Sequence, residues 1–235
     1  MGSALDTPNR STAAFTKRLV RLDESQVRCL EAGHGEPVVV LARGSDDPSS
    51  LPLSNLLANH FHVFVFDISH LAPSASNQLP ILSRDLARTL ARAADAAGLK
   101  RYALVSTSAD VAIALWQAID VPHQIDALVL ISPALVLSEQ SNAGNDLFTD
   151  PELVGRLSKL QAPVLLLVGT EDQAIPRETG RTYVERIPHC YYVLVYDAGR
   201  AIEAERPDAL FAVVRDFLER RETFIVKRPG TAVNP

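Results

Sequence analysis

Short apolar runs recur along this chain at Pro37 to Ala42, Phe61 to Phe66, Tyr102 to Val105, Ala127 to Ile131, Pro163 to Gly169 and Tyr191 to Tyr196. Between them lie segments whose apolar residues repeat at helical spacing. A strand that is apolar on both sides needs cover on both faces, and helical connections supply it. Strand and helix in alternation, joined by right-handed crossovers, predict a three-layer α/β/α sandwich around a mostly parallel central sheet, here of about eight strands. Leu19, Val20 and Leu22, then Val27, Cys29 and Leu30, with Asp23 to Ser25 between them, read as a hairpin at a sheet edge. Helices are predicted from about Ser50 to Asn59, Pro80 to Ala97, Val111 to Ile119, Pro151 to Leu160, Pro176 to Ile187 and Pro207 to Arg221. Leu82, Leu86, Leu90 and Ala93 or Ala94 share one face of the second, and Gly98 is placed to end it.

At 235 residues and 47% hydrophobic, the chain holds one sizeable core. One domain over residues 15–222 is expected, between a disordered tail at 1–14 and a second tail at 223–235. The net charge of -5, with both signs interspersed, offers no basic surface for nucleic acid or an anionic membrane. The two cysteines, Cys29 and Cys190, fall in or beside apparent strands and read as buried thiols rather than a disulfide or metal site. No metal or cofactor is implied. Met1 to Ala14 lacks the apolar run of a signal peptide, and a cytoplasmic setting is expected.

In sheets of this kind chemistry gathers at the carboxyl ends of the strands, which directs attention to the loops at Gly44, Asp67, Ser108, Ser132, Asp172 and Asp197. Ser108 marks the corner between the Tyr102 to Val105 run and the helix that follows. Two functions are open to it: a helix N-cap, with Asp110 as a favoured first-turn acid, or a reactive hydroxyl. Asp172 is likewise either a loop carboxylate capping nearby N–H groups or part of a site.

The order of elements, with Val39-Val40-Leu41-Ala42-Arg43-Gly44, Phe66-Asp67, the Ser108 corner, Gly169-Thr170-Glu171-Asp172 with Ile175-Pro176, and Asp197-Ala198-Gly199-Arg200 before Glu205-Arg206-Pro207, resembles the α/β-hydrolase fold from about Phe15 to Arg221. The resemblance implies a serine nucleophile at Ser108, its orienting acid at Asp172, and oxyanion donors on Ala109 and in the loop at Gly44 and Ser45. It also implies a reduced lid at about 134–162, with Leu135, Val136, Leu137, Leu147 and Phe148 as pocket lining.

Against that pattern the corner departs. Where the family has G-x-S-x-G, this chain has Ser106-Thr107-Ser108-Ala109-Asp110. Asp110 brings a negative charge close to where an oxyanion would form. Where the family has its catalytic histidine stands Arg200, a cation with no acceptor atom. Two roles are open to Arg200. An ion pair with Asp172 is the favoured one; the other is a position facing the cavity, on a carboxylate or phosphate of a ligand. Of the histidines His34, His60, His62, His70, His123 and His189, only His70 is expected at the reactive end of the sheet as a substitute base. Trp116, Tyr191, Tyr192 and Tyr196 read as core aromatics, and Arg84, Arg88 and Arg92 as a solvated helix face.

The expectation is therefore a hydrolase-like protein whose Ser-His-Asp chemistry is broken, binding a small apolar ligand or a partner protein, with a homo-oligomer as one form of the latter. The alternatives are a working serine hydrolase of acyl compounds with a non-standard base such as His70, and a serine-independent lyase, isomerase or cyclase using the same pocket.

Overall fold

A computed structural model describes residues 13–22, 26–43, 51–69, 71, 79–135, 137, 147–175 and 177–224. Most of both expected tails, the hairpin turn at 23–25, the loop at 44–50 and much of the lid lie outside these residues. In chain order the strands are β1 (Thr16–Arg21), β2 (Gln26–Ala32), β3 (Pro37–Ala42), β4 (His62–Asp67), β5 (Tyr102–Thr107), β6 (Ile125–Ile131), β7 (Val164–Gly169) and β8 (Cys190–Val195). The helices are α1 (Pro52–Leu57), α2 (Leu79–Ala96), α3 (Val111–Asp120), α4 (Pro151–Val154), α5 (Arg177–Arg186), α6 (Ile202–Glu205) and α7 (Pro207–Arg220).

The strands form one eight-stranded sheet in the order β1-β2-β4-β3-β5-β6-β7-β8. The β1–β2 hairpin and the β2–β4 pairing are antiparallel, and every pairing from β4 through β3 to β8 is parallel. Successive residues of each strand serve opposite faces. Phe64, Leu104, Leu128, Leu130 and Leu166 join a core with α2, α3 and α5, while Val65, Ala103, Val105, Val129 and Leu167 join a second core with α1 and α7. This two-sided burial is why the strands read as unbroken apolar runs.

Several boundaries differ from the sequence reading. The segment expected as one helix to Leu160 breaks into α4 and a short 3-10 turn at Leu157–Lys159. The four-residue α6 was not expected, since a single turn carries no periodicity. Tyr196 lies beyond β8 and is exposed rather than core. Gly98, at φ 90, ends α2 as its position suggested.

Two expectations about side chains also change. Arg84 does not sit on a solvated face: its Nε and Nη2 reach Asp120 at 2.8 and 2.9 Å, its Nη1 reaches Glu152, and its guanidinium stacks 4.4 Å over Trp116. It ties α2 to α3 and α4. Trp116 itself is buried and donates from Nε1 to Asp150 Oδ2 at 2.9 Å. Burial pushes the Cys29 and Cys190 thiols up to about 12, which leaves both protonated and unreactive at ordinary pH. Among the described residues no helix is long and apolar enough to cross a membrane, and no cluster of side chains suits a metal ion.

Candidate active site at the end of strand β5

Strand β5 pairs with β3 on one side and β6 on the other, so its carboxyl end lies at the centre of the sheet. The chain leaves Thr107 extended, at φ -124 and ψ 150, and turns abruptly at Ser108, whose φ is +53. A non-glycine residue in the left-handed region is strained, and such strain persists where the surroundings hold it. Here the Ser108 carbonyl accepts the Ala134 N–H at 3.0 Å, and α3 begins within one 3-10 turn. No side chain caps that turn, so Ser108 is not an ordinary N-cap serine. It stands on a tight strand-to-helix elbow with its hydroxyl at a cavity of about 480 Å³.

The cavity is lined by Pro52, Thr107, Ser108, Ile131, Ser132 and residues Arg200 to Ala204. Arg200 is delivered by the loop after β8. That loop is held at several points: Asp197 N–H donates to Thr170 Oγ1 at 3.2 Å, Glu171 N–H donates to the Ala198 carbonyl at 2.9 Å, and Gly199 N–H donates to Glu205 Oε2 at 2.6 Å. Gly169 makes the approach possible, because a Cβ there would lie 2.2 Å from the carbonyl oxygens of Ala198 and Gly199. Backbone meets backbone at that point, and only glycine fits.

From this loop Arg200 Nη2 donates to Ser108 Oγ at 3.3 Å. The favoured expectation, an Arg200–Asp172 ion pair, is therefore overturned: among the described residues Arg200 forms no ion pair. One oxygen of Asp172 is engaged locally instead. Its Oδ1 accepts the N–H groups of Ala174 and Ile175 at 2.9 and 3.2 Å, while its Oδ2 is buried with no hydrogen-bond partner. The two loop N–H groups take over part of what a cation would supply.

Asp110 also differs from expectation. It is buried, 7% exposed, and Arg43 at the end of β3 holds it with Nε 3.0 Å from Oδ1 and 3.1 Å from Oδ2. The charge expected to oppose an oxyanion is neutralised by a fork-like ion pair. Burial pushes the Asp110 carboxyl above its usual range, and the Arg43 hydrogen bonds and charge pull it back part of the way.

Leu135 and Phe148 are not among the described residues that line this cavity. Leu135 is fully buried in the core beside α3 and forms a β-bridge with Phe148, which packs against that same core. The lining comes instead from α6, whose Ile202 and Glu203 no periodic signal announced. Glu203 accepts the Leu53 N–H on Oε1 at 3.0 Å; burial raises its carboxyl above the usual range and that hydrogen bond lowers it. A smaller neighbouring cavity of about 220 Å³ shares Thr107 and Glu203 with the first and is lined also by Arg43. Ser132, at φ +44 on the end of β6, is 2% exposed and its Oγ has no hydrogen-bond partner.

Gly44, Ser45 and His70 lie outside the described residues. The other histidines are all remote from Ser108. His34, His60, His62, His123 and His189 precede or open β3, β4, β6 and β8, at the amino ends of parallel strands whose carboxyl ends form the site. His62 is occupied there with Glu31, 2.9 Å away.

The eight-stranded sheet, the elbow at Ser108 and the loops around it define the α/β-hydrolase fold. Among solved structures, the chain is similar to a serine hydrolase involved in carbazole degradation at a TM-score of 0.71 and 19% identity, over 88% of this chain and 100% of that one. It is similar to a carboxylesterase from Bacillus subtilis at 0.69 and 17%, over 87% and 92%. It is also similar to the naproxen esterase of Bacillus subtilis at 0.71 and 14%, over 89% and 93%. No family model and no curated protein matches the sequence.

Proposed function

We propose that this chain is an α/β-hydrolase-fold protein that binds a small, largely apolar ligand beside Ser108 and does not process it by Ser-His-Asp acyl transfer. One observation carries this reading: among the described residues, the group that meets Ser108 Oγ is the Arg200 guanidinium, at 3.3 Å. A guanidinium offers donors only, so it stabilises the oxygen lone pair, and among the described residues the hydroxyl proton meets no base to receive it. General-base assistance is worth roughly 10²- to 10⁴-fold in rate, and the members of a triad act as a unit. The elbow and the cavity remain as a shaped binding site.

A fluorophosphonate probe together with an activated ester tests the reading. The expected result is no covalent label on Ser108 and no burst of alcohol release. Labelling of the native chain that disappears in Ser108→Ala would overturn it.

A second reading, a serine-independent lyase, isomerase or cyclase, draws on Glu203. That half-buried carboxyl shares the cavity with Arg200 and is pushed toward its protonated form, which pairs an acid–base group with an orienting cation. Turnover that survives Ser108→Ala and is abolished by Glu203→Gln would favour it.

A further inference from the structure

The polar groups around the cavity at Ser108 are unbalanced in one direction. Ser108 Oγ is already used as an acceptor by Arg200 Nη2, so the hydroxyl proton is left to donate elsewhere. Ser132 Oγ, buried and lining the same cavity, has no hydrogen-bond partner among the described residues. Arg200 makes no ion pair among the described residues, and its remaining N–H groups are unused there. The one carboxyl on the described wall, Glu203, is turned to account by the Leu53 N–H. Several donors converge where acceptors are wanting, and buried donors without acceptors are costly.

We propose that this is a carboxylate-binding site, in which a small monocarboxylic acid docks its carboxylate between the Arg200 guanidinium and the Ser108 and Ser132 hydroxyls. The proposal rests on the ligand-binding reading above and names its ligand class. A planar guanidinium matches a carboxylate in shape and charge. Glu203 in the same wall disfavours a phosphate dianion, which would bring a second negative charge toward it. Pro52, Ile131, Ala201 and Ile202 supply an apolar wall for the hydrocarbon part, and about 480 Å³ suits a molecule of modest size. The pinned loop after β8 holds Arg200 in place before the ligand arrives, which limits the ordering cost of binding.

Calorimetric titration of the full chain with hexanoate and phenylacetate, against hexanamide, phenylacetamide and inorganic phosphate, tests this. The acids are expected to bind saturably and at least about tenfold more tightly than their amides, the range a charge-assisted hydrogen bond carries. Arg200→Gln should bring acid and amide to equal affinity, Arg200→Lys should retain part of the difference, and Ser132→Ala should weaken the acid several-fold. Far-UV circular dichroism checks that each variant is folded, and Ser132→Ala, a small change, keeps the test open if the arginine variants unfold. Equal binding of acid and amide to the native chain overturns the carboxylate while leaving a ligand-binding cavity. Preference for phosphate, or binding of none of these probes, also overturns it. Covalent labelling of Ser108 is a separate outcome that strikes the earlier reading alone.

Discussion

Arg43 and Asp110, 67 residues apart, clasp one another at the carboxyl ends of β3 and β5, the arginine Nε lying 3.0 Å from one carboxylate oxygen and 3.1 Å from the other. The sequence reading left the charge of Asp110 unopposed; in the structure its partner comes from the end of β3. Asp110 brings a charge into the elbow and Arg43 neutralises it.

Removing both members should therefore cost less than the two single removals added together. Arg43→Gln leaves Asp110, 7% exposed, without its cation. Breaking a buried pair costs about 3–5 kcal/mol, and partial exposure of the Arg43 side chain, 37%, reduces that to about 1–3 kcal/mol. Urea unfolding of Arg43→Gln, Asp110→Asn and the double variant checks this. The double variant is expected to lose less than the sum of the single losses; simple additivity would mean the pair carries no coupling.

Arg200→His should restore a proton acceptor at the position from which Arg200 now reaches Ser108. Asp172 Oδ2 is buried and unpartnered, so it is free to orient an imidazole. The expected gain in p-nitrophenyl acetate hydrolysis is about 10²-fold or more over the native chain, lost again when Ser108→Ala is added. Should the single change gain nothing, Arg200→His with Asp110→Gly and Arg43→His is expected to succeed, because it also clears the ion pair from the elbow. Failure of that combined variant would show that the elbow itself is misplaced for chemistry.

Glu203→Gln should stabilise the protein at neutral pH. The native carboxyl is raised above its ordinary value of 4.5, chiefly by burial, so ionising it at pH 7 costs folded-state stability. Glutamine keeps an acceptor for the Leu53 N–H without that charge. A gain on the order of 1 kcal/mol, about 2–4 °C in Tm, is expected at pH 7. The sign follows from linkage: an acid with a raised folded pKa lowers stability as pH rises, so the gain should vanish once pH falls below 4.5. Thermal melts of both proteins from pH 4 to 8 would expose a gain independent of pH, which would rule out this origin.

Gly169→Ala should be among the most damaging single changes. Its Cβ would sit 2.2 Å from two backbone oxygens, so the loop bearing Arg200 must move away from β7. A loss of about 3 kcal/mol or more is expected, with weaker acid binding in whatever remains folded. Chemical denaturation and the same titration with hexanoate measure both.

The fold was legible because it depends on patterns that repeat locally. Apolar strands between helical segments announce a covered parallel sheet, and the corner at Ser108, the acid at Asp172 and the cation at Arg200 all appear in linear order. Short elements escaped: α6, with its Ile202 and Glu203, is a single turn and leaves no periodic trace. Leu135 and Phe148 are not among the described residues lining the cavity at Ser108, and the sequence offers no way to see this, since apolar residues in an irregular stretch look the same whether they face a cavity or the core.

What the chain order alone determined is which groups are present at the carboxyl end of the sheet: a serine at a strand-to-helix corner and an arginine in the loop after the last strand. Which of them meet was decided only by the tertiary structure. Arg200 had two roles open to it, an ion pair with Asp172 or a place facing the cavity, and the close contact at Gly169 sets the loop so that it reaches Ser108, 92 residues away. Side-chain pairing over that separation depends on backbone placement to within an ångström or so, and no local periodicity encodes it.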